Sequence, residues 1–288
     1  MIQVSTRADL RRSLDAHRKQ AHRVALVPTM GNIHAGHLQL VNSARSRADF
    51  TAVSIFVNPT QFDQAEDFQH YPRTLDADLE QLAAANVDLV FTPEVDQLYP
   101  HGDTLQAQVE APAAAQGLEG GHRPGHFRGV ATVVCKLFNL FRPDVAVFGK
   151  KDYQQLAVIN AMVDELFLPV KIVAEETLRE ADNLALSSRN SRLTTTERQI
   201  APELFKVLQK AAEELTNDSD LQALEHAATA ALTKAGFRVD YVSIRDRALK
   251  IPDPNNCQLV ILAAAALGKV RLIDNLEAEK SPPVVVSN

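Results

Sequence analysis

Residues 24–37 read VALVPTMGNIHAGH. The apolar run Val24 to Val27 stops at Pro28, Gly31 and Gly36 follow, and His34 and His37 stand three positions apart ahead of the helically spaced LQLVNSARS. The pattern predicts a strand, a tight loop and the first turn of a helix. Such a loop presents backbone N–H groups without intrahelical partners and the positive end of the helix dipole, a setting that holds phosphate. Two imidazoles there can hydrogen-bond a polyphosphate as negative charge moves onto a leaving group. The stretch reads as a nucleotide site suited to chemistry at phosphorus. HxGH alone is a common pattern, and the histidines could simply cap the helix; the strand–loop–helix setting favours function.

Outward from this stretch, four further apolar runs read as buried parallel strands: 51–57, 87–91, 145–148 and 170–174. Near-continuous β-branched runs imply burial on both sheet faces. Helical patterns lie between them, at about 6–20, 36–48, 74–86, 127–141 and 153–167, with Asp9, Thr74 and Asp152 near helix starts. This alternation predicts an α/β fold with a doubly wound parallel sheet. Residues 99–121 break the alternation, with a short extra strand expected at 105–109. After about 178 the texture changes to a long helical stretch, 194–236, then alternating strands at 239–245, 258–265 and 269–274 with a turn at 267–269. That order predicts a smaller C-terminal α+β domain, so the expected division is 1–177 and 178–288. The last residues, EAEKSPPVVVSN, read as a loose tail.

The composition is that of a globular chain: 288 residues, 45% hydrophobic, 23% charged, net charge −6. No dense Lys/Arg stripe occurs, which argues against nucleic acid as the main partner. Cys135 and Cys257 have no metal-ligand spacing, and so few cysteines fit a reducing compartment such as the cytoplasm. There is no signal-peptide h-region and no apolar run long enough to span a membrane.

In open α/β sheets, ligands bind beyond the carboxyl ends of the strands. Each predicted strand here is followed by polar residues that could line one crevice. Thr29, Met30, His34 and His37 follow the first; Asn58, Pro59, Thr60 and Gln61 follow the second. Gly149, Lys150, Lys151, Asp152 and Gln155 follow the fourth, and residues 183–190 (NLALSSRN) come after the fifth. Asn58 and Gln61 either shape a turn at Pro59 or read a hydroxyl and a carboxylate. Lys150 or Lys151 can act as a flexible cation on phosphate, and Asp152 can cap a helix. Ser187, Ser188 and Arg189 either form a polar turn or fold over a triphosphate. The glycine-rich 120–129 segment, with His122, Arg123, His126 and Arg128, reads as a mobile lid or a plain surface loop.

Taken together, VPTMGNIHAGH at 27–37, SIFVNPTQF at 54–62, YPRTLDADL at 71–79, EGGHRPGHFRGVATVV at 119–134, FGKKDYQQL at 148–156 and NLALSSRN resemble the pantoate–β-alanine ligase (pantothenate synthetase) family. The blocks cover most of the first 190 residues in the family's order. The resemblance implies a Rossmann-like, nucleotidyltransferase-like N-terminal domain, a C-terminal lid domain and a homodimer. It also implies an AMP-forming ligase that uses ATP with Mg²⁺, holds no tightly bound organic cofactor, and passes through pantoyl adenylate. Carried over by position, Met30, Gly31, Asn32, Ile33, His34, Ala35, Gly36 and His37 form the ATP loop, with His37 as proton donor and His34 beside it. Gly149, Lys150, Lys151 and Asp152 form a second nucleotide contact, with Lys151 on the phosphates and Asp152 near the ribose; Leu178 with Leu186, Ser187, Ser188 and Arg189 form a third. Gln61 and Gln155 hold pantoate, Gln61 also helps place β-alanine, and Met30 and Asn58 line that site. The sequence does not fix the Mg²⁺ ligands: ATP phosphates and water supply most of them, with Asp78 a candidate. Position 150 is commonly acidic in the family but is Lys here, and position 186 is often Met but is Leu here, a volume-conserving change.

Competing readings remain at this point. A nucleotidyltransferase that stops at AMP transfer would need a basic acceptor site in place of Gln61 and Gln155. A tRNA ligase lacks its anticodon-binding extension. A metal hydrolase built on His34, His37, His122 and His126 lacks an obvious carboxylate. A non-catalytic adenylate sensor would share the loop and show no turnover.

Overall fold

The computed structural model describes residues 1–63, 65–102 and 106–280. They group into two compact units, 1–150 with 155–178 and 151–154 with 179 onward.

The first unit runs β1 (Ile2–Val4), α1 (Arg7–Arg18), β2 (Val24–Thr29), α2 (Ala35–Arg45), β3 (Phe50–Ile55), α3 (Ala65–Gln69), α4 (Leu75–Ala84) and β4 (Leu89–Phe91). It continues with α5 (Val95–Leu98), α6 (Leu118–His122), α7 (His126–Phe141), β5 (Val145–Gly149), α8 (Tyr153–Glu165, whose first two residues group with the second unit) and β6 (Lys171–Glu175). The six strands form one sheet in the order β1-β4-β3-β2-β5-β6, and every pairing is parallel. Alternation along β2 explains its unbroken apolar run. Val24 and Leu26 pack with Leu10, Leu137 and Phe141 on one face, while Ala25 and Val27 pack with Val41, Ala44 and Leu82 on the other. With helices on both faces, neither set of side chains reaches water. From β2 the chain winds outward through β3 and β4, then returns to β5 on β2's other side and continues to β6. The loops after β2 and β5 therefore leave at neighbouring strand ends at the switch point, where such sheets bind ligands.

Local chemistry sets the boundaries. Thr6 caps α1 by accepting from the Asp9 N–H, so Asp9 is a first-turn acid. Helix α7 ends at Arg142, whose φ of 43° and N–H bond to the Phe138 carbonyl close the last turn before Pro143. β1 was not expected from the sequence: it is three residues long, and two of them are exposed. Of the extra strand expected at 105–109, residue 105 lies outside the described residues, and 106–109 form no strand. Most of the expected tail, 281–288, also lies outside them.

The second unit contains α9 (Thr195–Ile200), α10 (Glu203–Glu213), α11 (Leu221–Lys234) and an antiparallel sheet β7 (Arg238–Asp246), β8 (Gln258–Leu267), β9 (Val270–Glu279). Thr194 and Glu197 form a reciprocal capping box on α9. Leu204, Phe205, Leu208 and Ala211 recur at helical spacing on α10, and Leu204, Leu208 and Ala211 share a core with Leu259, Ile261, Ala263 and Ala265 of β8. Gly268 and Lys269 make the expected turn between β8 and β9. The loop after Arg179 is anchored by a two-pronged ion pair, 2.7 and 2.9 Å, to the buried Asp274 carboxylate. The same guanidinium stacks 3.4 Å from the centre of the Phe205 ring.

Candidate active site

At the carboxyl end of β2 the chain must turn sharply into α2. Gly31 takes φ +82° and Asn32 φ +52°, the left-handed region that glycine and asparagine tolerate best. Thr29 Oγ1 donates to the Ser54 carbonyl at 2.8 Å and accepts from the Gly31 N–H, tying the strand end to the turn. Asp78, in the first turn of α4 and 1% exposed, completes the brace. Its carboxylate accepts from the Asn32 and Ile33 N–H groups, each at 2.8 Å, and from Thr74 Oγ1 at 3.0 Å. A Cβ at Gly31 would lie 2.9 Å from Asp78 Oδ2, so this loop and this carboxylate fit only with glycine there.

In this geometry Asp78, the candidate Mg²⁺ ligand, braces the histidine loop. Its oxygens are turned into backbone N–H donors. Among the described residues no group of three or more His, Cys, Asp or Glu could hold a metal ion. Mg²⁺ held by one or two carboxylates together with phosphate oxygens and water needs no such group. Replacing Asp78 with Asn would set an NH₂ against one of the two backbone donors. Stability should fall by roughly 1–3 kcal/mol, the cost of a buried donor left without its acceptor. A lower urea midpoint together with a raised KM for ATP is the expected result; an unchanged midpoint would show that the brace carries little.

His34 is the N-cap of α2, and His37 stands three residues later in the helix. His34 Nδ1 accepts from the Gly36 N–H at 3.1 Å, and His37 Nδ1 accepts from the His34 N–H at 3.4 Å. The two rings thus cap the helix reciprocally, as Ser and Glu do in the usual capping box. Because each Nδ1 accepts, each neutral ring carries its proton on Nε2. The rings lie 4.1 Å apart, centre to centre. The capping role is thus present in both side chains, and it leaves each Nε2 outside the cap.

After β3, Pro59–Gln61 form a single 3₁₀ turn. Asn58 is 1% exposed and fully engaged. Its Oδ1 accepts from the Tyr99 hydroxyl at 2.6 Å and the Thr60 hydroxyl at 3.0 Å; its Nδ2 donates to the Gly129 carbonyl at 3.2 Å and to Gln61 Oε1 at 3.0 Å. Asn58, expected among the pantoate and β-alanine contacts, has no hydrogen-bonding capacity left for a ligand and instead holds Gln61. Gln61 Nε2 lies 2.9 Å from Met30 Sδ, so two segments 31 positions apart converge at the head of the histidine loop.

The glycine-rich 120–129 segment, read as a mobile lid or a plain surface loop, forms the end of α6 and the first turn of α7. His126 is buried, with Nδ1 2.7 Å from the Gln61 carbonyl, and Arg123 pairs with Asp63 and reaches the same carbonyl. A Cβ at Gly129 would lie 2.3 Å from the Thr60 carbonyl oxygen, so glycine serves close packing of α7 on the 59–61 turn. The ring nitrogens of His126 face that carbonyl and Arg123 Nη1, which removes it from a metal-binding histidine set.

The two adjacent lysines separate in role. Lys150 forms a 2.5 Å ion pair with Glu176, just past the β5–β6 pairing of Gly149 with Glu175. Lys151 is held through its carbonyl, which accepts from Asn275 Nδ2 of β9 at 2.9 Å. Among the described residues its ammonium has no ion-pair partner. Asp152 is exposed, so it is available to solvent rather than packed. In the next helical turn the Tyr153 hydroxyl donates to Glu277 Oε1 at 3.0 Å, and burial, with the Glu277 charge second, raises its pKa well above the usual phenol value. Gln155 is half-buried and Leu178 is 37% exposed. In the second unit Ser187 caps the short 3₁₀ helix Ser188–Arg192 by accepting from the Arg189 N–H, while Leu186, Ser188 and Arg189 are half-buried.

The fold and its β2 loop place the chain in the Rossmann-like, nucleotidyltransferase-type class of α/β proteins. More narrowly, the Pantoate-beta-alanine ligase family model matches residues 2–277, and the chain belongs to that family. A pantothenate synthetase of Thioalkalivibrio sulfidiphilus is 52% identical over 284 residues, 98% of this chain and 99% of that one. A pantothenate synthetase structure from Thermus thermophilus aligns with TM-score 0.88 and 44% identity, covering 96% of this chain and 99% of the other. A pantoate-beta-alanine ligase from Francisella tularensis, complexed with beta-gamma ATP and beta-alanine, aligns with TM-score 0.80 and 36% identity, covering 96% and 97%.

Proposed function

We propose that this chain condenses (R)-pantoate with β-alanine in two steps. A pantoate carboxylate oxygen attacks the α-phosphorus of ATP, the bond to the β-phosphate oxygen breaks, and pyrophosphate leaves. The β-alanine amine then attacks the acyl carbon of the adenylate, loses a proton, and AMP departs with the former carboxylate oxygen. The single observation that carries this reading, beside family membership, is the convergence of Gln61 on Met30 at the head of the His34/His37 loop. It sets an amide suited to a hydroxy acid beside a helix N-terminus suited to a triphosphate.

In this reading Met30 to His37 cradle the ATP phosphates. The Nε2–H of His37 hydrogen-bonds the departing pyrophosphate, and that of His34 supports it. The Lys151 ammonium balances charge on the phosphates and Asp152 takes the ribose. Gly149, Lys150, Leu178 and Leu186 to Arg189 complete the nucleotide contacts, and Gln61 and Gln155 hold pantoate. Residues 1–177 bind nucleotide and pantoate, and 178–288 act as the lid. Mg²⁺ enters with ATP as part of the substrate. A homodimer is carried by the family resemblance. A cytoplasmic setting is supported by two cysteines that are both free.

Incubation of the purified protein with ATP, Mg²⁺, pantoate and β-alanine should yield AMP and pantothenate together. Without β-alanine, labelled pyrophosphate should exchange into ATP only when pantoate is present. Failure of both would overturn the reading, and AMP transfer to a phosphate-bearing acceptor would favour the nucleotidyltransferase alternative.

A further inference from the structure

We infer that Tyr99 is a positioning residue of the pantoate site, acting through Asn58 on the side chain of Gln61. The inference rests on the reading of Gln61 as a pantoate contact. Tyr99 follows α5 and is 1% exposed. A backbone carbonyl can only accept, so the Asn58 atom 3.2 Å from the Gly129 oxygen is Nδ2. The other side of that amide is then Oδ1, and it receives the Tyr99 hydroxyl at 2.6 Å, the shortest contact Asn58 makes. The remaining Nδ2 hydrogen must meet an oxygen, so Gln61 turns Oε1 toward Asn58 and Nε2 toward Met30.

The Gly129 carbonyl sets which way the Asn58 amide faces, the Tyr99 hydroxyl holds it there by donating to Oδ1, and Asn58 passes that orientation to Gln61. Its product is an N–H donor on the Met30 side, the polarity that matches a carboxylate or hydroxyl oxygen of a hydroxy acid. Lys136 reinforces the first link. Its Nζ lies 4.1 Å from the centre of the Tyr99 ring and donates to the Leu98 carbonyl at 2.8 Å. A cation over the ring face draws electron density from it and makes the hydroxyl a stronger donor. Asn58 keeps the Thr60 hydroxyl when Tyr99 is removed, so the network loosens rather than collapses.

Tyr99→Phe keeps the ring and removes only the donor. The KM for pantoate should rise about tenfold, the worth of one buried hydrogen bond, while the KM for ATP changes less than twofold. Thr60→Val removes the weaker donor to the same oxygen and should raise the pantoate KM in the same direction by less; it tests the network even if Tyr99→Phe folds poorly. The decisive readout is a double-mutant cycle. In a Gln61→Ala background Tyr99→Phe should have no further effect on pantoate, because its intermediary is gone, whereas a general loosening of the fold would add. A wild-type protein that makes no pantothenate overturns the functional reading and this inference with it. An active wild type with unchanged pantoate KM in both single variants, with equal rises for ATP and pantoate, or with additive effects in the cycle, overturns the inference alone.

Discussion

His37→Ala should lower pantoate-dependent ATP–pyrophosphate exchange by a factor on the order of 10²–10³, the usual cost of removing one preorganised donor to a developing charge. His37 Nδ1 is committed to the His34 N–H, so its proton resides on Nε2, the atom that the proposed mechanism turns to the departing pyrophosphate. The same side chain is half of the α2 cap, so alanine also costs about 1 kcal/mol of stability. These two losses can be separated. Gln at the third helical position restores the reciprocal cap but supplies no imidazole. His37→Gln should therefore unfold near the wild-type urea midpoint while exchanging as slowly as His37→Ala. Wild-type exchange in both variants would remove His37 from the chemistry and leave it a cap.

Much of the fold was legible because burial on both sheet faces writes itself locally. Val24 to Val27 and Thr51 to Ile55 read as strands without reference to any partner, since every residue in them is apolar or small. β1 did not, because a three-residue edge strand gains its place from pairing with β4 and not from its own pattern. The histidine loop was legible for a similar reason: glycine spacing and helix periodicity are short-range signals. What braces that loop was not. Asp78 comes 46 positions after Asn32 and, read along the chain, is only another acid in the first turn of a helix. Asn58 and Gln61 look alike in sequence, two amides after a strand. Only the approach of Gly129 and Tyr99 makes one of them scaffold and leaves the other facing Met30. Glycine content at 120–129 left a lid and a surface loop open, and the contact that Gly129 permits with Thr60 could not be read from it. The pattern separates by range: what depends on one element's own burial is readable, and what depends on two distant elements sharing a hydrogen bond is not.

That same distinction decides between the adjacent lysines, which the sequence leaves equivalent. Lys150 lies at the end of β5 beside the end of β6, where Glu176 takes its ammonium at 2.5 Å. Glu176 is 78% exposed, so the pair adds little stability, but it neutralises the charge and holds the side chain toward β6. Lys151 has its backbone pinned by Asn275 and its ammonium without an ion partner among the described residues. A flexible stem on a fixed backbone suits a point charge that must follow phosphate as it leaves. Lys151→Met, which keeps the apolar stem and deletes the charge, should reduce pantoate-dependent exchange by a factor on the order of 10²–10³. Its unfolding midpoint should stay at the wild-type value, because no ion pair is lost. Lys150→Met should leave exchange within a few-fold of wild type, since the charge it removes is already balanced by Glu176. The opposite order of effects would assign the phosphate contact to Lys150 and require the Glu176 pair to open when nucleotide binds.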